Sequence, residues 1–172
     1  MPTPRPVPPP AVPAAGPGGP VVVVPVTARD PEVLALVDAL TAELALGGYA
    51  EEESFGYSAE QLAASGVRLV AARAGEGLVG LAGLETDGPP VVAGELKRFY
   101  VAPAHRGTGV ADALLDALEA AARDAGARVL RLETGDAQAA ALRFYARRGF
   151  RRVPAFGPYV GSATSVCLAR EL

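Results

Sequence analysis

A glycine-bearing turn is the clearest chemical feature of this sequence. Residues 101–115, "VAPAHRGTGVADALL", contain an apolar segment, a turn with Gly107 and Gly109, and then a helix-forming run. Backbone N–H groups gather at the first turn of a helix, where the helix dipole also favours negative charge. Glycines let the backbone approach a bulky anion closely, and Arg106 adds a cation. The turn therefore predicts a binding site for a phosphate or pyrophosphate group.

The spacing of this turn separates it from two common phosphate-binding motifs. A dinucleotide fingerprint requires G-x-G-x-x-G before its helix, and a Walker loop requires a lysine after its last glycine. The "RGTG" turn at residues 106–109 has neither arrangement. The spacing of the turn therefore does not indicate binding of a dinucleotide or of a nucleoside triphosphate.

The helix after the turn has to be docked if the turn is to be rigid. Val110, Leu114 and Leu118 recur on one stripe at helical spacing. The opposite face carries the charged residues Asp112, Asp116, Glu119 and Arg123. This pattern predicts an amphipathic helix over about 107–125 whose apolar face packs on a sheet.

The rest of the pattern predicts a mixed sheet with helices on both faces, in the α/β class (an α+β mixed sheet). Strands are expected at about 21–27, 67–73, 78–86, 91–101, 128–133, 150–153 and 163–170, and further helices at about 31–46, after an N-cap at Ser58, and at about 136–148. Short turns between the middle strands imply an antiparallel N-terminal half, and the strand–helix–strand order that follows implies a βαβ half.

Residues 1–20 differ from the remainder in composition. They alternate proline with small residues, so they have few backbone donors and little apolar surface to bury. We expect a disordered tail over 1–20 and a single domain over 21–172. A ligand for a proline-recognition module, recruiting a partner through the tail, is the alternative for this segment.

Composition restricts the classes of function. A net charge of −3 and a pI near 5.2 argue against nucleic acid as a partner. No apolar stretch reaches membrane-spanning length and no secretory signal begins the sequence, so we expect no membrane association and a cytoplasmic location. One histidine and one cysteine are too few for a zinc site, so no metal is expected.

Two motifs at matching spacing resemble the GNAT superfamily of acyl-CoA-dependent N-acyltransferases. "RGTGVA", from Arg106 to Ala111, is similar to its R/Q-x-x-G-x-G/A signature, with "ELKRFYVAP" before it and "QAAALRFYARRGF" after it. The likeness covers residues 21–172 and the order of predicted elements. "LETG" and "PAFGPYVGSATSVCLAREL" further resemble a bacterial subgroup of general acetyltransferases. The resemblance implies a GNAT-like fold with acetyl-CoA as co-substrate.

The resemblance also implies which residues hold the cofactor. In the family, the strand before the signature opens away from its neighbour and its backbone pairs with the pantetheine arm. The turn amides then hold the pyrophosphate. Carried over to this sequence, the strand end is Phe99, Tyr100 and Val101, and the turn is Arg106, Gly107, Thr108, Gly109, Val110 and Ala111. Gln138 stands where many members have an asparagine that touches the cofactor arm.

The implied reaction is direct attack of an uncharged amine on an acyl thioester, followed by release of a thiolate. Since ammonium has no lone pair, a base must take its proton. Glu95 aligns with the catalytic glutamate of some members, and a glutamate facing outward from a strand is the alternative. Tyr145 aligns with a tyrosine that protonates the leaving thiolate, and a core tyrosine is the alternative. Glu133 and Tyr159 are candidate substrate-binding residues.

Several functions remain open at this point. The first is an N-acetyltransferase acting on a small primary amine, a preference that rests on the acidic segment Glu51–Glu53 beside Phe55 and Tyr57. The second is a protein or peptide N-acetyltransferase, and the third is a non-catalytic module that binds acyl-CoA for regulation. The resemblance is also compatible with a homodimer.

Overall fold

The described part of the chain consists of residues 14–16, 19–49 and 56–172 of a computed structural model. Its strands are β1 (Ala14–Gly16), β2 (Gly19–Val26), β3 (Arg68–Ala74), β4 (Gly77–Thr86), β5 (Ala93–Val101), β6 (Val129–Gly135), β7 (Arg151–Arg152) and β8 (Ser165–Glu171). Its helices are α1 (Pro31–Leu46), α2 (Ala59–Ala64), α3 (Val110–Asp124) and α4 (Ala139–Arg147). None of these helices has the length and apolar character needed to cross a bilayer.

The strands form one mixed sheet in the order β1-β2-β3-β4-β5-β6-β8-β7. Neighbours from β1 to β5 are antiparallel, β5 and β6 are parallel, and β6, β8 and β7 are again antiparallel. This confirms the predicted antiparallel half joined to a βαβ half. The helix after the "RGTG" turn begins at Val110 rather than at 107. Gly107 and Gly109 have positive φ angles, which a right-handed helix does not contain, so the helix can begin only after them.

The sheet begins earlier in the chain than the sequence predicted. Ala14–Gly16 and the first two residues of β2 pair with each other, although they belong to the segment 1–20 that was expected to be a disordered tail. This pairing ends at Val21, so Pro25 farther along β2 has an open edge on the side away from β3, where its missing N–H breaks no ladder bond. Residues 1–13 and 17–18 lie outside the described residues.

Helices cover both faces of the sheet, as the sequence predicted. On one face, α1 and α2 pack through Val33, Leu36, Val37, Leu40 and Leu62 onto Leu69, Ala71 and Leu81. On the other face, α3 packs through Val110, Leu114, Leu118 and Ala122 onto Leu84, Leu96, Leu130 and Leu132. Tyr145 of α4 joins this second cluster. The N-terminus of α3 is thereby fixed at the end of β5.

Gly94 of β5 lets α3 and β6 pack closely. A Cβ atom at this position would lie 2.8 Å from Leu84 Cδ1 and 3.4 Å from both Ala122 Cβ and Leu130 Cδ1. We expect Gly94→Val to lower the free energy of unfolding by about 1–3 kcal/mol through overpacking, measured by urea denaturation. The control is Gly66→Val, where a Cβ meets no atom within 4 Å. Equal losses in the two variants would contradict the close packing at Gly94.

Candidate active site

The site forms where β5 and β6 separate. The two strands are paired only from Ala93 with Val129 to Glu95 with Arg131. Beyond these pairs, residues 96–101 of β5 and 132–135 of β6 face each other across a groove with a volume of about 790 Å³. Among the described residues, no strand pairs with this side of β5 beyond Glu95. The separation confirms the geometry that the resemblance implied for the strand before the turn.

A β-bulge at Arg98 accompanies the separation. The register between β4 and β5 shifts between Leu81 and Gly83, so β5 carries one residue more than β4 at this point. Arg98 has a left-handed φ of 51°, and its Nε donates a hydrogen bond of 2.6 Å to the carbonyl oxygen of Tyr57. Because a bulge bends its strand and increases the local twist, it directs the end of β5 away from β6.

The backbone of the turn before α3 has the properties of an anion site. Gly107 and Gly109 have φ angles of 73° and 89°. The amides of residues 107–112 donate no hydrogen bond to any described residue. They lie at the N-terminus of α3, where the helix dipole adds positive potential. Asp112 is neutralised by Arg148 Nη1 at 2.8 Å. These residues fit a pyrophosphate.

Two side chains of the turn brace it instead of facing an anion. Arg106 Nε donates a hydrogen bond of 2.9 Å to the carbonyl oxygen of Val101, and its Nη2 lies 2.6 Å from Glu43 Oε2 of α1. Thr108 Oγ1 donates a hydrogen bond of 2.6 Å to the carbonyl oxygen of His105. The cation that the sequence placed beside the anion is thus shared with a carboxylate, and the amides remain the main donors.

The structure brings most of the predicted cofactor-binding residues together along the groove. Its lining includes Phe99, Tyr100, Val101, Arg106, Gly107, Gly109, Ala111 and Gln138. Gln138 is the N-cap residue of α4, and its side chain does not cap the helix. Thr108 and Val110 do not line the groove, and the side chain of Val110 is buried in the core. Any role of these two residues is therefore limited to their backbone amides.

Tyr145 lines the same groove from α4. It is 6% exposed, and its ring makes edge contacts with Phe99, Phe144 and Phe150 at centroid distances of 5.3–6.0 Å. The hydroxyl forms no hydrogen bond within the described part of the chain. Burial raises the pKa of the phenol above its usual value, so the group is protonated at neutral pH. A protonated, unpaired hydroxyl in a groove can serve as a proton donor.

Glu133 is the carboxylate that lines the main groove at the end of β6. Burial raises the pKa of this carboxyl, with a further contribution from the negative charge of Glu95. A hydrogen bond of 2.7 Å from Ser165 Oγ and the charge of Lys97 act in the opposite direction. A carboxylate with a raised pKa is a stronger base, so Glu133 has the properties of a proton acceptor.

Glu95 lies in a buried network beside the groove and does not line it. Its Oε1 accepts hydrogen bonds of 2.7 Å from both Lys97 Nζ and Tyr159 OH, and its Oε2 is 3.6 Å from Arg131 Nε. Glu95, Lys97 and Tyr159 border, together with Tyr57, a smaller cavity of about 340 Å³ that adjoins the groove. Tyr159, predicted as a substrate-binding residue in a loop, is buried and lines both spaces.

Two residues of this network, Glu85 and Arg131, were not assigned a site role from the sequence. Glu85, at the end of β4, accepts a hydrogen bond of 2.8 Å from Tyr57 OH, which together with burial raises the pKa of Tyr57 to about 12. Lys97 Nζ lies 5.0 Å from the Tyr57 ring and 5.6 Å from the Tyr159 ring. Arg131 stacks on Phe156. No local motif marks Glu85 or Arg131, because their partners come from distant strands and loops.

Tyr49 closes the groove on the side of α1. Its hydroxyl accepts a hydrogen bond of 2.9 Å from the amide of Ala137, between β6 and α4. The ring lies over Gly135, where a Cβ atom would overlap it. Tyr49 and Tyr57 both line the groove. Glu51–Glu53 and Phe55, which the sequence suggested for this wall, lie outside the described residues.

Metal binding has no candidate group in the described ranges. Across residues 14–16, 19–49 and 56–172, no three histidine, cysteine, aspartate or glutamate side chains are grouped to hold an ion. Cys167 is buried in β8, and burial raises the pKa of its thiol.

The separated strand pair and the turn before α3 match the arrangement that the resemblance implied for an enzyme that uses acyl-coenzyme A. Residues 35–150 match the model of the acetyltransferase (GNAT) family. The chain belongs to the GNAT acetyltransferase family, and it is an acyltransferase.

Individual relatives agree with this assignment. An IAA acetyltransferase of Azospirillum brasilense is 33% identical over 124 residues, which cover 72% of this chain and 80% of the relative. A solved acyl-CoA N-acyltransferase structure from Klebsiella pneumoniae is 34% identical, with a TM-score of 0.74 over 88% of this chain and 97% of that one. The PaiA N-acetyltransferase of Thermoplasma acidophilum, solved with coenzyme A, is 19% identical, with a TM-score of 0.71 over 88% and 99%. This last likeness concerns the fold alone.

Proposed function

We propose that the protein transfers the acetyl group of acetyl-CoA to the primary amine of a small molecule by direct attack. The observation that carries this proposal is the continuity of one groove from the free amides of residues 107–112 to Tyr145 and Glu133. The amides would hold the pyrophosphate, and the open side of Phe99–Val101 with Gln138 would hold the pantetheine arm. Acetyl-CoA supplies an acyl group activated as a thioester.

The residues of the chain divide the proton transfers between them. Glu133 accepts a proton from the incoming ammonium, since it lines the groove and burial raises its pKa. Tyr145 donates a proton to the leaving sulfur from its unpaired hydroxyl. Glu95 is the second candidate base. It accepts the proton of an amine that reaches the smaller cavity, where its Oε1 already accepts hydrogen bonds from Lys97 and Tyr159.

A small acceptor suits the shape and charge of the site better than a protein chain. Tyr49, Tyr57 and Tyr159 line the groove, and the acceptor is placed beside them. Glu133 lines the same part of the groove, and Glu85 and Glu95 border the adjoining cavity, so carboxylates are available to pair with a positively charged amine. Three tyrosine rings and these carboxylates suit a small amine better than an extended peptide.

The test is an assay of thiol release from acetyl-CoA with a panel of small amines and a panel of peptides. We expect saturable turnover with at least one small amine and none above background with peptides. Turnover with peptides alone would show that the acceptor is the amino group of a protein or peptide and not a small amine. Tight binding of acetyl-CoA with no transfer to any amine would identify a regulatory binding module instead.

The role of Glu133 predicts a shift of the pH profile in a Ser165→Ala variant. The Ser165 hydrogen bond lowers the pKa of Glu133, so its removal raises that pKa further. A base works only when deprotonated, and kcat/KM is therefore lost as pH falls through this pKa. We expect the acidic limb of the kcat/KM profile to move to higher pH in Ser165→Ala and to disappear in Glu133→Gln. An unchanged acidic limb in both variants would remove Glu133 as the base.

A further inference from the structure

The sequence contains a single lysine, Lys97, and the other fifteen of its sixteen lysine and arginine residues are arginines. The two side chains differ chemically. An arginine guanidinium keeps its proton at neutral pH and is therefore not a nucleophile. A lysine ammonium that loses a proton becomes a nucleophilic amine. The one side-chain amine of the protein is thus placed on β5, inside the candidate active site.

The ammonium group of Lys97 contacts a carboxylate that can accept its proton. The lysine side chain is 11% exposed, and Nζ lies 2.7 Å from Glu95 Oε1 and 3.6 Å from Glu85 Oε2. Tyr159 OH lies 3.1 Å from Nζ. The faces of Tyr57 and Tyr159 flank the ammonium. The carboxylate of Glu95 is therefore within direct reach of the proton that Nζ must lose before it can attack a carbonyl carbon.

Lys97 also lies where the two substrates of the proposed reaction must meet. It is two residues beyond the last pair between β5 and β6, Glu95 with Arg131, and it directly precedes the bulge at Arg98. Its side chain lines the main groove together with Glu133 and Tyr145, and it lines the smaller cavity as well. No other side-chain amine of the protein competes for this position.

From this placement we infer that Lys97 is an internal acceptor: when no amine substrate is present, the enzyme acetylates its own Lys97. This inference rests on the proposed function. Nζ gives one proton to Glu95 Oε1 and forms a bond to the thioester carbonyl carbon. The bond from that carbon to sulfur breaks, the amide loses the second proton to solvent, and coenzyme A leaves as the thiol after taking a proton from Tyr145. The products are N-acetyl-lysine at position 97 and free coenzyme A.

Acetylation at this position changes the charge of the site. The neutral amide no longer pairs with Glu85, and Glu95 is left with Arg131 as its cation. The added acetyl group also occupies part of the smaller cavity. Self-acetylation therefore lowers turnover of an external amine, and a bound amine protects Lys97 from acetylation.

Mass spectrometry of the intact protein and of its peptides tests the inference directly. The wild-type protein is incubated with acetyl-CoA and without an amine, and acetyl uptake is followed with time. We expect uptake at Lys97 with a rate that saturates in acetyl-CoA and is independent of protein concentration. An acceptor amine identified in the thiol-release assay should slow this uptake. Lys97→Arg should take up no acetyl group on a side chain.

An Arg152→Lys variant supplies the matched control. Arg152 is exposed on β7 and does not line either cavity. We expect Lys97 to be acetylated on the order of 100-fold faster than the introduced amine, because only Lys97 is held beside a base and the groove. Equal rates at the two positions, or an equal rate at Lys97 in urea-unfolded protein, would identify uncatalysed acetylation and overturn the inference.

The remaining outcomes separate this inference from the proposed function. Turnover of an external amine with no acetyl group on Lys97 at any time would overturn self-acetylation and leave the proposed function standing. The absence of transfer to Lys97 and to every external amine would overturn both.

Discussion

The Tyr145→Phe variant is expected to lose about 100-fold or more in kcat, the usual contribution of a positioned general acid, while its KM for acetyl-CoA stays within about twofold of wild type. The reason is specific to this site. The phenol ring packs on Phe99, Phe144 and Phe150, and phenylalanine keeps those contacts. The hydroxyl has no hydrogen-bond partner within the described residues, so its removal leaves no protein group unpaired. The loss therefore reports proton donation alone.

The unfolding midpoint in urea is the control for Tyr145→Phe. We expect the midpoint to be unchanged. The substitution breaks no contact, so the free energy of unfolding should change by less than about 0.5 kcal/mol. Steady-state kinetics with a saturating amine gives the kcat. A turnover close to wild type, with unchanged acetyl-CoA affinity, would exclude the phenol from the reaction and leave Tyr145 as a core tyrosine.

Gly107→Val is expected to raise the Kd for acetyl-CoA by about tenfold or more, equivalent to about 1.4 kcal/mol. Gly107 has a φ of 73°, a conformation that costs a residue with a side chain roughly 1–2 kcal/mol. Relief of this strain rotates the neighbouring amides away from their common direction, and the amides of residues 107–112 then lose their convergence on one anion. Isothermal titration with acetyl-CoA measures the effect.

Gly126→Val is the matched control for Gly107→Val. Gly126 follows the C-terminal end of the same helix α3 with a φ of 93°, and a Cβ at either glycine meets no atom within 4 Å. Both variants should lose similar stability from backbone strain. Only Gly107→Val should weaken the binding of acetyl-CoA, since Gly126 does not line the groove. Equal affinities in the two variants would exclude the turn as the pyrophosphate site.

Most of the fold was predictable from local sequence signals. The capping residues Asp30 and Ser58 lie at the starts of α1 and α2, and each side chain accepts a hydrogen bond from its helix backbone. Gly126 and Gly149 follow the ends of α3 and α4 with positive φ angles. Such signals depend on neighbouring residues in the chain, which is why the bounds of the helices could be predicted closely. The hairpin of β1 with β2 carried no such signal, because its residues resemble the tail before them.

The site was predictable only where a motif extends along one segment. The "RGTG" turn and Tyr145 line one groove, and each belongs to a continuous motif. Which of Glu95 and Glu133 lines the groove was not predictable. Whether a glutamate faces a groove or a buried lysine depends on where Tyr159, Arg131 and Ser165 lie, and these come from other elements.

Glu119 shows the same limit away from the site. Its helical position predicted an exposed polar face, yet it is buried beside Arg148 and Arg170, because α4 and β8 bring both arginines over α3.

The amino-acid sequence by itself determined the elements, their order and the glycine-bearing turn before α3, since helix periodicity, caps and glycine φ angles act over a few residues. The tertiary structure alone decided that β5 and β6 separate beyond Glu95, that Glu133 faces the groove, and that the single lysine lies on a carboxylate within it. These outcomes depend on a strand bulge and on side chains from β4, β8 and the loop before β8. Their meeting is a property of the packed sheet and not of any one segment.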